Sequence, residues 1–211
     1  MHYQAIFFDF DGVILDSVHV KTRAFAAMFR QYGPQIEQAV IDYHLAHGGV
    51  SRFSKFEYYY TRLLKKTIDH KTMNALCREF NSLVLQGVLD SPYVPGALET
   101  LNFLKYNNIP AFVVSGTPDD EIKYIVKIKS LAPYFLEVHG SPRQKSEIIL
   151  DVSQRHKLPL DKTLFIGDAM TDYSAAQACG GNFLGIVNPG SPSPFPSGTL
   201  ISASVTLAAG R

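Results

Sequence analysis

Cysteine is scarce in this chain of 211 residues, which contains only Cys77 and Cys179. The two residues lie far apart in the sequence and form no CxxC pair, so neither a disulfide framework nor a structural zinc site is indicated. We therefore expect a reducing compartment, with the cytoplasm as the default location. The N-terminal sequence MHYQAIFF lacks the basic and apolar regions of a signal peptide, which favours an unsecreted protein.

Long apolar runs and a charge excess are absent as well. No segment approaches the run of about 18 apolar residues that a membrane-spanning helix needs. The chain has 20 basic and 19 acidic residues, a formal net charge of +1, so no strong field favours nucleic acid or an anionic membrane. We expect neither as a partner, and any anionic ligand must be held by local groups. The hydrophobic content of 46% is typical of a globular protein with a buried core.

The chain divides into two patterns of predicted secondary structure. Residues 5–8 form a short apolar run that predicts a buried strand. From about Ser17 to Asp90 the apolar residues follow helical periodicity, and no convincing strand occurs. From Val94 onward short strands and helices alternate, which predicts an α/β fold with a doubly wound parallel sheet. The Pro-, Ser- and Gly-rich segment 188–198 is interpreted as a surface loop.

Two carboxylates follow the first strand within the segment IFFDFDGVILDS. In an extended chain alternate side chains share a face, so Asp9 and Asp11 point the same way. Two like charges this close are unfavourable unless a cation or a shared proton compensates them. The pair therefore indicates a magnesium site or an acid/base couple. The alternative is a strand that simply enters an Asp11-Gly12 turn.

A hydroxyl and a glycine follow the strand FVVS at Ser115 and Gly116. The next helix is predicted to begin with Thr117 as its N-cap and Pro118 at its first position. The Ser115 hydroxyl and the free backbone amides of such a turn suit phosphate oxygens. A turn that only joins strand and helix remains the alternative.

A lysine near the start of the following helix is the third candidate. Ser141 is predicted as N-cap and Pro142 as the first helical residue, with Lys145 one turn into the helix. A lysine there opposes the helix dipole, so the position suits a cation that is held toward an anion. Arg143 competes for that role, and a solvated surface lysine is the alternative.

A second pair of acids follows the strand TLFIG. Asp168 comes directly after the strand, and Asp172 lies one helical turn later on the same face. Helix capping explains one acid but not the return of paired acids at a second strand end. Because ligands bind at the carboxyl ends of parallel strands, we expect Asp9, Ser115 and Asp168 to share one site with a metal.

These motifs, taken together, resemble those of the haloacid dehalogenase superfamily of phosphotransferases over nearly the whole chain. They are DxDG at Asp9 and Asp11, the strand end at Ser115, Lys145, and GDxxxD at Asp168 and Asp172. The DGVxxDS extension and the helical block after it are similar to the subfamily of phosphoglycolate phosphatase-like and beta-phosphoglucomutase-like enzymes. This resemblance implies a Rossmann-like core of residues 1–16 and 92–211 and an inserted helical cap of residues 17–91.

The resemblance also implies a different role for each of the acids. Asp9 would be the nucleophile that forms an aspartyl-phosphate. Asp11 would protonate the leaving alkoxide and then activate water. Mg²⁺ would be bound by Asp9, the backbone carbonyl of Asp11 and Asp168, with Asp172 beside the metal or bound to it through water.

Two further groups of residues would recognise the substrate. Ser115, Gly116 and Lys145 would bind the transferring phosphoryl group. In the cap, the string HGGVSRF contains Ser51 and Arg52, which would clamp a polar or charged part of the substrate. A loop between cap helices with an incidental arginine is the alternative. The expected partner is a small phosphorylated metabolite, and we expect a monomer or a small homo-oligomer.

The sequence thus predicts a magnesium-dependent phosphatase acting on a small phosphomonoester, and it leaves the substrate open. A beta-phosphoglucomutase-like enzyme is the nearest alternative, although Lys21 stands where sugar phosphomutases of the family tend to have a histidine. A non-catalytic phosphate-binding module on the same sheet is the alternative of another class, and Asp11 argues against it. Asp11 also argues against dehalogenation, because dehalogenases of the superfamily lack the second acid.

Overall fold

The computed structural model describes residues 3–207 of the chain. The strands are β1 (Ala5–Phe8), β2 (Ala111–Pro118), β3 (Glu137–Ser141), β4 (Thr163–Gly167), β5 (Asn182–Ile186) and β6 (Ile201–Ser202). The helices are α1 (Val18–Phe29), α2 (Pro34–Ala46), α3 (Arg52–Tyr58), α4 (His70–Asp90), α5 (Ala97–Tyr106), α6 (Asp119–Ile128), α7 (Lys145–Arg155) and α8 (Met170–Cys179). Among the described residues, no helix combines the length and the apolar character needed to cross a bilayer.

The strands form one parallel sheet in the order β3-β2-β1-β4-β5-β6. Strand β1 lies near the middle, with Phe7 opposite Phe112 of β2 and Phe165 of β4. All four residues of β1 are buried, as is usual for a parallel strand covered on both faces. The predicted doubly wound α/β sheet is confirmed, and the two-residue strand β6 is an addition too short for periodicity to reveal.

Each face of the sheet packs against a different set of helices. Phe8 and its neighbours on one face contact apolar residues of α5 and α6 such as Leu101 and Ile122. Phe7 and Phe112, whose rings are stacked 5.0 Å apart, pack on the other face against α7 and α8. The alternation of side chains along β1 therefore supplies both apolar layers of the sheet.

Helices α1 to α4 make up a segment without strands, which we call the helical segment (Val18–Asp90). The Phe25 ring of α1 is at its centre, with ring centroids 4.2 Å from Phe80 and 5.5 Å from Phe56. These side chains belong to the same apolar cluster as Phe8 of the sheet. That residues 17–91 form a separate cap domain remains a prediction.

Both predicted helix starts beside the sheet were wrong by a few residues. Thr117 does not cap a helix, because β2 continues to Pro118 and α6 begins at Asp119. Ser141 is the last residue of β3, and α7 begins at Lys145 with Gln144 as its N-cap. Pairing between Pro118 and Ser141 keeps both segments extended. The preference of Thr, Ser and Pro for helix starts is thus overridden by a contact between neighbouring strands.

We predict that Phe7→Ala lowers the free energy of unfolding by about 3–5 kcal/mol, the range for removing a buried phenylalanine side chain. Phe7 is fully buried and stacked on Phe112, so the variant leaves a cavity between the sheet and α7. Urea unfolding followed by circular dichroism measures the change. Tyr106→Ala is the control, since the Tyr106 side chain is exposed. A loss below about 1 kcal/mol for Phe7→Ala would contradict this account of the core.

Candidate active site

The carboxyl ends of β1, β2 and β4 bring together the polar side chains predicted from the motifs. They meet Lys145, the first residue of α7, and Asp172 in the first turn of α8. Because β1 lies between β2 and β4, the residues that follow these three strands converge at one edge of the sheet. The residues brought together are Asp9, Asp11, Ser115, Gly116, Lys145, Asp168 and Asp172.

Three of these acids form a cluster. Carboxylate oxygens of Asp9, Asp168 and Asp172 all lie within 4.8 Å of one another. Asp9 and Asp172 are buried. Gly12 permits this approach, because a Cβ atom there would lie 2.3 Å from Asp168 Oδ2, and the backbone at Gly12 has a φ of +80°. Only glycine adopts this conformation without strain, which explains why glycine follows Asp11.

Lys145 is the cation inside the acidic cluster. Its Nζ lies 2.5 Å from Asp172 Oδ1 and 3.1 Å from Asp9 Oδ1. The other oxygen of Asp172 accepts a hydrogen bond from the Ala169 backbone N–H at 3.1 Å. Burial opposes the charge on Lys145, but the two carboxylates outweigh it and raise the pKa of the ammonium group. Asp172 therefore holds Lys145 in place, and Lys145 is a permanent cation next to Asp9.

The charges of this cluster do not cancel without an additional cation. When all three carboxylates are ionised, they carry three negative charges against the one positive charge of Lys145, which leaves two negative charges. Burial, together with the neighbouring acids Asp172 and Asp11, raises the pKa of Asp9 to about 7 against the opposing effect of Lys145. Burial and the charges of Asp9 and Asp172 also raise the pKa of Asp168. One divalent cation would neutralise the excess.

The donor set also fits a hard divalent cation. Carboxylate oxygens are the ligands that Mg²⁺ and Ca²⁺ prefer. Among residues 3–207, no group donates a hydrogen bond to the buried Asp9 Oδ1, since Lys145 approaches it without hydrogen-bond geometry. A buried carboxylate oxygen that has an ion pair but no hydrogen bond is stabilised further by a bound cation. The Asp11 carboxylate does not belong to this cluster, so only the backbone carbonyl of Asp11 remains as its predicted contribution to a metal site.

Asp11 has a different environment from Asp9. Its carboxylate accepts hydrogen bonds from Ser17 Oγ at 2.6 Å and Thr117 Oγ1 at 3.0 Å, and it forms an ion pair with Lys21. Burial alone would raise the pKa of Asp11, but the Lys21 ammonium and these hydrogen bonds outweigh burial and lower it. Two acids separated by one residue therefore have pKa values shifted in opposite directions, which the sequence alone did not reveal.

The predicted phosphate-binding groups lie beside the acids. Ser115 is buried, and its Oγ accepts a hydrogen bond from the Thr117 backbone N–H at 3.1 Å. Ser115, Gly116 and Lys145 line a hollow of about 510 Å³ next to the cluster. Arg143 forms a salt bridge to Asp151 at 3.0 Å, with 43% of its side chain exposed. Of the two competing cations, Lys145 is therefore the one in contact with Asp9.

The loop HGGVSRF of the helical segment lies directly on this edge of the sheet. The Gly48 carbonyl accepts a hydrogen bond from Thr171 Oγ1 at 2.9 Å. Gly49 has a φ of +70°, and a Cβ atom there would lie 2.1 Å from the same Thr171 oxygen. The Gly48-Gly49 pair thus permits a close approach that brings the helical segment against the site.

Ser51 and Arg52, the predicted substrate residues of this loop, have partners within the protein. Ser51 caps α3, where its Oγ accepts a hydrogen bond from the Ser54 backbone N–H at 3.4 Å. The guanidinium of Arg52 donates to Glu121 Oε1 at 2.6 Å and lies 4.7 Å from the centre of the Phe80 ring. Arg52 lines the cavity described next, and its role as a substrate clamp stays a prediction.

A cavity of about 150 Å³ lies between the acids and helices α2 and α3 of the helical segment. Asp9 and Asp11 line it on the side of the sheet, and Lys55 and His44 line it on the side of the helical segment. Lys55 was not among the predicted site residues, because a single lysine beside Phe56 in a short helix is a weak sequence signal. Pro194 also lines the cavity, so the predicted surface loop 188–198 touches the rim of the site.

Comparison with known proteins agrees with this geometry. The family model of haloacid dehalogenase-like hydrolases matches residues 3–180. Phosphoglycolate phosphatase 1 of Pseudomonas aeruginosa is 26% identical over 187 residues, which cover 83% of this chain and 66% of that protein. The chain thus spans just under two thirds of that relative.

Solved structures share the fold over almost the full chain. One is described as a predicted phosphoglycolate phosphatase from Haemophilus somnus, with a TM-score of 0.73, 19% identity, and coverage of 97% of this chain and 96% of that chain. A beta-phosphoglucomutase from Clostridium difficile has a TM-score of 0.76, 18% identity, and coverage of 96% and 92%. Because the family model covers most of the chain, including both acidic motifs, the protein belongs to the haloacid dehalogenase-like hydrolase family.

Proposed function

We propose that the protein is a magnesium-dependent phosphatase that hydrolyses a small phosphomonoester through an aspartyl-phosphate on Asp9. The observation that carries this proposal is the contrast between Asp9 and Asp11 in one cavity. Asp9 lies in the cluster with Asp168, Asp172 and Lys145, whereas the carboxylate of Asp11 is held apart from it by Ser17, Lys21 and Thr117, so the two acids face one cavity from different polar surroundings. The phosphoglycolate phosphatase among the relatives supports a phosphomonoester as the substrate.

In the first half of the reaction, the Asp9 carboxylate would attack the phosphorus atom and break its bond to the leaving oxygen. Asp11 would give that oxygen a proton. The acid role needs protonated Asp11, which its lowered pKa disfavours in the substrate-free protein. A bound phosphoryl group adds negative charge nearby and so raises the pKa of Asp11.

In the second half, Asp11 acts as a base. Its carboxylate would take a proton from a water molecule, whose oxygen attacks the phosphorus of the aspartyl-phosphate. The bond between phosphorus and Asp9 then breaks, which releases inorganic phosphate and restores both carboxyl groups. Lys21 and Ser17, which contact Asp11, favour the ionised form that this step requires.

Asp9, Asp168 and the backbone carbonyl of Asp11 would hold Mg²⁺. When bound, the ion offsets the repulsion between the carboxylates and the incoming phosphate. Asp172 would hold Lys145, since both of its oxygens already have partners in the protein.

Ser115, Gly116 and Lys145 would bind the phosphoryl oxygens. Ser51 and Arg52 remain candidates for contact with the rest of the substrate. We also propose a cytoplasmic protein, in keeping with the free thiols of Cys77 and Cys179, that is a monomer or a small homo-oligomer.

A beta-phosphoglucomutase-like activity is the alternative within the family. The likeness to a solved beta-phosphoglucomutase concerns the fold alone. Lys21, which pairs with Asp11, stands where the mutases tend to have histidine, so hydrolysis is the better-supported reaction. A non-catalytic phosphate-binding module would not need an acid such as Asp11, held in place by Ser17, Lys21 and Thr117.

The proposal predicts that the protein with Mg²⁺ releases phosphate from at least one member of a panel of sugar phosphates, phosphoglycolate and nucleotides. Asp9→Asn should abolish turnover, because the amide has the same shape but is not a nucleophile. Phosphate release measures activity, and circular dichroism checks the fold. The matched control is Asp120→Asn, since Asp120 is exposed on α6. Release at the wild-type rate from pure Asp9→Asn would contradict the assignment of the nucleophile.

Metal dependence can be tested without turnover. The folded protein holds a proton on Asp9 up to about pH 7, whereas the unfolded chain releases it near 3.8, the ordinary pKa of an aspartate side chain. Without metal, the contribution of Asp9 to stability is present at low pH and lost as pH rises through about 7. Asp9→Asn cannot lose stability in this way. With a chelator present, the free energy of unfolding of Asp9→Asn minus that of the wild type should therefore be larger at pH ~8 than at pH ~5, by at least about 1 kcal/mol.

Urea unfolding of the two proteins at both pH values measures this difference. Mg²⁺ should also stabilise the wild-type protein at the higher pH, because it binds the folded state. Identical pH dependence in the two proteins, together with no stabilisation by Mg²⁺, would refute the metal site.

A further inference from the structure

Lys55 of α3 is a buried lysine without an acidic partner. The residue is 3% exposed, yet its side chain lines the cavity that contains Asp9 and Asp11. Its Nζ donates a hydrogen bond to His44 Nδ1 at 2.8 Å. Within residues 3–207, no carboxylate lies within salt-bridge distance of Lys55. A buried ammonium is costly unless an anion compensates it, so this arrangement indicates a missing anion.

The other cationic side chains around the site contrast with Lys55. Lys21 is paired with Asp11, and Lys145 with Asp172. Arg52, three residues before Lys55, is paired with Glu121. Their charges are already balanced by the protein.

His44 holds the Lys55 side chain without balancing its charge. Burial and the charge of Lys55 lower the pKa of His44 to about 3, so the imidazole is neutral. Its Nδ1 can therefore accept the hydrogen bond from Lys55. Burial and the charge of Lys21 lower the pKa of Lys55 to about 7, with Asp168 and Asp11 acting in the opposite direction. An anion that contacts Lys55 would restore the full charge of the ammonium group.

The position of Lys55 indicates which part of a substrate it would contact. The phosphoryl group would lie beside Asp9 and Gly116, on the sheet side of the cavity. Lys55 lines the opposite side, in the helical segment, where the organic part of the substrate would lie. A cavity of about 150 Å³ suits a small organic group, since an apolar cavity of about this size holds benzene in another protein.

We propose that Lys55, oriented by His44, binds a second anionic group of the substrate, so that the enzyme selects short phosphomonoesters carrying a carboxylate or a second phosphate. This inference rests on the proposed phosphatase function for its reaction. It differs from the role predicted for Arg52, because Arg52 has an internal carboxylate partner and Lys55 has none among the described residues. A carboxylate and a phosphate are both anions that could pair with Lys55, and the substrates compared below distinguish them.

The test compares three substrates that differ only in the group remote from the phosphoryl. They are 2-phosphoglycolate, which carries a carboxylate, ethylene glycol bisphosphate, which carries a second phosphate, and 2-hydroxyethyl phosphate, whose remote group is an uncharged hydroxyl. Lys55→Met preserves the length of the side chain and removes the charge, and replacing an unpaired buried charge by an apolar group should not unfold the protein. Lys71→Met is the matched control, since Lys71 is exposed on α4.

Lys55→Met should lower kcat/KM for the preferred anionic substrate roughly 10- to 100-fold, the range for a hydrogen bond to a charged group. The value for 2-hydroxyethyl phosphate should change less than about twofold, and Lys71→Met should change none of the three. The anionic substrate with the larger loss identifies the second group. An equal loss on all three substrates, or no loss on any, would overturn the proposal.

Calorimetric binding in an Asp9→Asn background separates this inference from the proposed function. There the Lys55→Met change should weaken binding of the preferred anionic compound by a similar factor and leave 2-hydroxyethyl phosphate unaffected. If wild-type protein hydrolyses no phosphomonoester but this selective weakening is found, the phosphatase proposal fails and the anion subsite stands. If hydrolysis occurs and binding shows no selectivity, the subsite is refuted and the phosphatase proposal stands.

Discussion

The ion pairs of Lys145 with Asp9 and Asp172 are the interaction on which the rest of the site depends. Three carboxylates at neighbouring strand ends would repel one another if no cation lay among them. The ammonium group at the start of α7 contacts two of them and allows both to be buried. When all three carboxylates are ionised, two negative charges remain, which the divalent cation of the proposed function would neutralise. Stability and chemistry therefore depend on the same charge balance.

The helical segment adds the groups that the sheet lacks. Lys21 reaches from α1 to Asp11 and lowers its pKa. The Gly48 carbonyl and the pair of Arg52 with Glu121 join the segment to the sheet side of the molecule. This contact encloses the cavity, in which Lys55 faces the acids. In the proposed function, the reacting groups belong to the strand ends and the groups that select the substrate belong to the helical segment.

Much of the site was predictable because parallel strands place their carboxyl ends at one edge. That rule brought Asp9 and Asp168 together from their positions after two apolar runs. The helix starts at Thr117 and Ser141 were wrong because strand pairing outweighed local capping preference. The partner of Arg52 could not be predicted either, since Glu121 lies 69 residues away in the sequence. The periodicity of apolar residues indicates which side chains are buried, but it does not indicate which charged residues, distant in the sequence, form ion pairs.

In the proposed mechanism, Asp9 is phosphorylated during turnover and Asp11 governs the hydrolysis of the intermediate. Asp11→Ala with an aryl phosphate tests it directly, because an aryl leaving group needs no proton whereas the attack of water still needs a base. Acid quenching during turnover, followed by mass spectrometry of peptides, measures the intermediate. We predict that phosphate accumulates on the peptide containing Asp9 in this variant and not in Asp9→Asn. An unmodified Asp9 during turnover, or phosphate on another residue, would contradict the account.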